Sequence, residues 1–254
     1  MIKLIRPEKP IELTEEKEKE LILDFKNTKK AVWRQPYIVE RLLNMSHKKC
    51  CYCETALETQ GRPMHVEHFH CKDDYPDEVV NWNNLLPSCS QCNSNKGTLD
   101  TKLYPLLNPT VDDPKNYLYL NHFYIKSKDN ALDSIGRETV ELLDLNNRDR
   151  LLNPRLSIVD MMRYKLNDIH KKAVELKNRD DGKQYNKSRI VNGIKDILKM
   201  AQPTAEYSAF MGAIILDDED YFETKEILME LGLWDAEMQG LHDVADSIKL
   251  DTHK

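Results

Sequence analysis

The sequence predicts an α+β protein, mainly α-helical, in which a small zinc-stabilised module is embedded in a helical scaffold. Three observations predict this. All six cysteines (Cys50, Cys51, Cys53, Cys71, Cys89 and Cys92) fall between positions 50 and 92 of a 254-residue chain. Apolar residues on both sides recur at intervals of three and four, the period of a helix with one buried face. From 47 to about 104 that period gives way to Cys, His, Asn and short turns, the composition of a metal-organised module. The expected organisation is an N-terminal helical segment (1–46), a four-cysteine module (47–126) and a C-terminal helical region for substrate and partner contacts (127–254).

Thr14 is placed to cap a helix running through about Asn27, with Glu15 and Glu16 in its first turn and Leu21, Ile22 and Phe25 as its apolar stripe. A second helix is expected after Pro36, using Ile38, Val39, Leu42 and Leu43. Pro105, Pro109 and Pro114 keep the stretch after the cysteine module extended. The aromatic and aliphatic residues of 117–126 suit a strand. Beyond Ser134 helical spacing returns: Leu156, Val159, Met162, Leu166, Ile169, Ala173 and Leu176 define one long amphipathic helix, and further helices are expected over 187–200, 204–216 and 221–232.

Composition narrows the class. A hydrophobic content of 40% can fill an ordinary core. No run of about 18 apolar residues could cross a bilayer, and MIKLIRPEKP lacks the apolar stretch of a secretory signal, so a cytoplasmic protein is expected, with no membrane partner. In a reducing compartment, paired cysteines hold metal rather than form disulfides. The net charge of −6 is unevenly spread: residues 150–200 carry 13 Lys+Arg against 6 Asp+Glu, and residues 201–254 carry 3 against 13. A basic middle could sit against a phosphate backbone while the acidic tail docks a protein; the alternative is that both blocks are solvated helix faces.

Cys50-Cys51-Tyr52-Cys53 and Cys89-Ser90-Gln91-Cys92 each supply a C-x-x-C pair. Two such knuckles close a tetrahedral zinc site with Cys50, Cys53, Cys89 and Cys92 as ligands. Four thiolates leave no open coordination position, so this zinc is structural and chemistry must happen elsewhere. Cys51 and Cys71 are spare, and are read as buried small side chains. The loop between the knuckles carries MHVEHFHCK (64–72) and NWNNLLPSCSQCNSNKG (81–97). Phosphodiester hydrolysis needs a base and a hard cation. His68 suits the base, and the Glu67 carboxylate and Asn93 carboxamide are hard ligands for Mg2+ or Mn2+. Consecutive strand residues face opposite ways, so Glu67 and His68 can share a site only at a bulge or a strand end. His65 and His70 could touch phosphate or metal, and Lys96 could contact a phosphate, although a solvated lysine is an equal reading.

These motifs carry a resemblance. An acidic residue followed by histidine, an Asn before a hydrophobic pair, and C-x-x-C-N-x-x-K-G resemble the ββα-metal motif of HNH nucleases. Cys50 to Glu54, Glu67 to Lys72 and Trp82 to Leu85 more closely resemble the PtuB-like HNH family of Septu-type antiphage defence and some retron systems. The resemblance implies a ββα-metal HNH nuclease module at 47–126, an orienting role for Asn84 beside the histidine, and a PtuA-like ATPase partner, since this chain shows no Walker A signature of its own. It implies an endonuclease acting on nucleic acid, with DNA favoured and RNA open; a non-catalytic zinc-organised binding module is the competing class. Residues 47–104 carry 6 Lys+Arg against 8 Asp+Glu, so the grip on a polyanion must come from outside the module, and the basic helical region or a partner is the expected supplier.

Overall fold

In the computed structural model, which describes residues 1–59, 61–129, 131, 134–178 and 184–253, the chain is mainly helical with two small sheets. It forms two compact units. The first comprises residues 1–117 and 127–145, and the second 118–126 and 146–254.

The first unit opens with α1 (Glu15–Thr28) and α2 (Pro36–Met45). The Thr14 hydroxyl accepts from the Lys17 backbone N–H, and three glutamates in the first turn complement the helix dipole. Lys29 ends α1 in the left-handed conformation, its N–H returning to Phe25 O. Leu21 and Phe25 of α1, and Ile38, Leu42 and Met45 of α2, enter the core. The cysteine region contributes β1 (His65–His68) and β2 (Leu85–Ser88), antiparallel with His68 opposite Leu85, and then a short helix, α3 (Ser90–Lys96). Past the proline-rich connection, Ser134 caps α4 (Ile135–Leu142).

The second unit contains β3 (Leu118–Asn121), followed by β4 (Tyr124–Ser127), which pairs with it. The stretch 117–126, expected as one strand, is therefore two, because His122 adopts φ 52° and turns the chain. A π-helical turn at Arg148–Leu152 leads into the long α5 (Asn153–Asn178). Val159, Met162, Leu166, Ile169 and Ala173 of α5 are buried, as their spacing predicts. Then come α6 (Gln184–Lys199), α7 (Ser208–Leu216), α8 (Glu219–Glu230) and α9 (Ala236–Ile248). Residues Ser208–Ile215 of α7 are all buried, so it is the central helix of this unit. A last strand, β5 (Asp251–His253), runs parallel to β3 with Tyr119 opposite Asp251. Neither α9 nor β5 is expected from the sequence.

Candidate functional site

The sulfurs of Cys50, Cys53, Cys89 and Cys92 all lie within 4.8 Å of one another. Cys50 and Cys53 sit on a turn held by Cys50 N–H to Thr55 O (2.9 Å) and Glu54 N–H to Cys50 O (3.0 Å), with Glu54 at φ 62°. The turn is tied to β2 through Cys51 N–H to Pro87 O, 2.9 Å. Cys89 is the N-cap of α3, its sulfur accepting from the Cys92 N–H at 3.4 Å. Crowding splits the thiols. Hydrogen bonds from Cys50, Cys89 and Cys92 hold Cys53 well below the usual thiol range, burial pushes Cys50 up, and hydrogen bonding to Cys50 raises Cys89 and Cys92. Four sulfurs at this spacing cannot all ionise without a cation among them, and the donor set fits a zinc-like ion. Cys51 and Cys71 are also buried and stand outside this group.

Next to this cluster lies a cleft of about 230 Å³ whose lining includes Glu67, His68, Asn93, His65 and Cys71. Glu67 and His68 share it because His68 is the last residue of β1, where alternation stops. Asn93 directly follows Cys92 on α3, so the second knuckle sets its position. His68 is 7% exposed; its Nε2 lies 2.9 Å from Val79 O and its ring packs edge-on to Trp33 at 4.6 Å. A carbonyl only accepts, so Nε2 carries the proton and Nδ1 the lone pair. Burial lowers His68 to about 4, so the imidazole is neutral at pH 7. Burial raises Glu67 to about 7, against the opposing pull of Lys96.

Asn84 does not line the cleft. Buried, it accepts from His70 N–H (2.6 Å) and donates to His70 O (3.0 Å) and Glu78 O (3.2 Å), clamping the loop that leaves His68. His70 also turns away from the cleft: its Nδ1 is 2.6 Å from Glu78 Oε2. Lys96 departs from both readings of it. It is 3% exposed, 2.7 Å from Glu67 Oε1, and donates to His68 O at 2.8 Å, so it is neither solvated nor free for phosphate.

Among the cleft's charged and aromatic side chains, the sequence assigned no role to Trp33 and Arg34 from the connection between α1 and α2, or to Lys72 from the loop after β1. A basic, tryptophan-bearing run, Lys29 to Arg34, was the available signal. The charge segregation also resolves differently from expectation. In the second unit the two blocks meet each other: Arg163 pairs with Asp218 (3.4 Å), Lys177 with Glu230 (2.6 Å), and Lys195 with Asp235 (2.6 Å) and Glu237 (2.5 Å). Such surface pairs add at most about 1 kcal/mol each, and they offset part of each block's charge. No helix among the described residues is long and apolar enough to cross a membrane.

No family model matches the chain, and no solved structure matches it. The chain is similar to the Septu protein PtuB of Bacillus thuringiensis, with 41% identity over 241 residues, covering 95% of this chain and 92% of that protein.

Proposed function

The chain belongs to the family of the Septu protein PtuB, and from that premise we propose that it is a metal-dependent HNH endonuclease, the effector of an antiphage defence complex with a PtuA-like ATPase. The observation that carries this reading is the convergence of an imidazole, a carboxylate and a carboxamide on one cleft beside four cysteines able to hold a structural ion. The succession β1, β2, α3 supports a ββα arrangement, and DNA is the favoured substrate.

His68 is the general base. Its Nε2–H is anchored on Val79 O, which fixes the ring and leaves Nδ1 to take the proton of an attacking water. Its low pKa keeps it unprotonated throughout the neutral range. Glu67 and Asn93 would hold Mg2+ or Mn2+, two hard oxygen donors suiting a cation that retains several waters. When bound, such a cation neutralises charge building on the phosphate and the leaving oxygen. Lys96 stabilises the ionised form of Glu67, and Asn84 acts at one remove, bracing the loop that follows His68.

Purified chain should carry tightly held zinc and cleave nucleic acid only when magnesium or manganese is added. His68→Ala should keep zinc and fold yet lose cleavage by at least about a hundredfold, the usual scale for a general base. The check is plasmid nicking and RNA cleavage in parallel, with and without the partner. Undiminished cleavage by that variant would sink the assignment, binding without scission would favour the zinc-organised binding module, and scission of RNA alone would favour a ribonuclease.

A further inference from the structure

The cleft holds more than its chemical trio. Arg34 is exposed and Lys72 has 34% of its side chain exposed, and both line the cleft with Glu67, His68 and Asn93. The Trp33 ring between α1 and α2 is held on two edges, 5.8 Å from Phe25 and 4.6 Å from His68. The Lys72 ammonium lies 5.8 Å from the Trp33 ring centre. It pairs with Asp73 at 3.9 Å, the limit of such contacts. Its charge is felt by both Glu67 and His68.

Several other cations already face acids. Lys96 is buried against Glu67, and cations of α5 and α6 face acids of the C-terminal helices. A polyanion brought to an acidic carboxylate site needs cations beside that site.

Resting on the nuclease reading, we propose that Arg34 and Lys72, with the Trp33 indole as the wall between helix connection and cleft, form the substrate grip, their two cations binding backbone phosphates of a nucleic-acid strand next to the scissile ester. The ligand chemistry is the phosphodiester backbone. The arginine contributes a planar fork that can take two phosphate oxygens, the lysine a point charge. The N-terminal helical segment is thereby part of the substrate site and not only a scaffold for the cysteine module.

The test measures binding of the full chain, without added divalent metal, to a labelled duplex DNA and to the matching RNA between about 50 and 200 mM salt. Arg34→Gln and Lys72→Gln should each weaken binding and flatten the plot of log affinity against log salt by roughly 0.9 on duplex DNA and 0.7 on a single strand, the share of one phosphate contact. Arg34→Lys should keep the slope, and Lys165→Gln on α5 should leave affinity and slope unchanged. Loss on whichever probe binds supports the grip and identifies its backbone. Unaltered slopes in Arg34→Gln and Lys72→Gln, an equal effect from Lys165→Gln, or no salt-dependent binding of either probe overturns it. The His68→Ala cleavage assay is scored separately, so failure of the grip leaves the nuclease reading intact, and the reverse.

Discussion

At residue scale the most consequential contact is Lys96 with Glu67. Both side chains are buried, the ammonium sits 2.7 Å from the carboxylate, and burial raises the acid to about 7 even with Lys96 pulling it down. Removing one partner of such a pair leaves a buried group without its counterion, at a cost of several kcal/mol. Lys96→Met should therefore lower stability by about 3 kcal/mol, and adding Glu67→Gln should restore part of that loss, because the uncompensated charge is gone. Urea unfolding of the single and double variants checks this; a double variant no more stable than Lys96→Met would contradict it. The burial of Lys96 was legible in principle. It stands four residues after Cys92 on α3, hence on the same helix face, and Cys92 must point inward. Trp33 and Arg34 were harder to place: the run Lys29 to Arg34 is basic and carries a tryptophan, but no motif links the connection between α1 and α2 to a strand more than thirty positions later.

At the scale of elements, caps were the most readable features. Thr14 accepts from the backbone N–H three residues on and Pro36 starts α2, both as expected, whereas the Ser134 cap of α4 was not read as one. The missed α9 has the same kind of signal in Asp235, which accepts from Met238 N–H, but its many acids and its glycine obscured the apolar spacing. It packs on α6 and α7 and meets α8 at a polar seam: Tyr221 OH lies 2.8 Å from His242 Nδ1, Lys225 Nζ lies 3.1 Å from Nε2, and Trp234 approaches edge-on. Burial first, and then Lys225, lower the pKa of His242, outweighing Asp246 and Asp243. The unfolded chain therefore takes up this proton before the folded one does. Stability from this group is complete above the ordinary value of 6.5 and is lost as pH falls below it. His242→Gln should make the decline in unfolding free energy below about pH 6.5 shallower, measured by urea denaturation over a pH series; an unchanged slope would contradict the linkage.

At the scale of the whole molecule, the cysteine spacing specified the four-sulfur cluster well, because two C-x-x-C knuckles have few ways to close. Charge was a poorer guide, since counting residues in a segment does not tell which opposite charges the fold will set against them. Cys92→Ser should abolish zinc retention and loosen the first unit, as removing a ligand withdraws folding energy supplied by the metal. Metal analysis after dialysis, with thermal unfolding alongside, tests this; full zinc retention by the variant would contradict the four-thiolate site. Finally, the chain passes between its two units at about residues 117, 126 and 145. Cutting the polypeptide at any single bond thus cannot deliver both halves intact, so truncations meant to map where a partner docks would damage folding and binding together, and point substitutions on the intact chain are the sounder route.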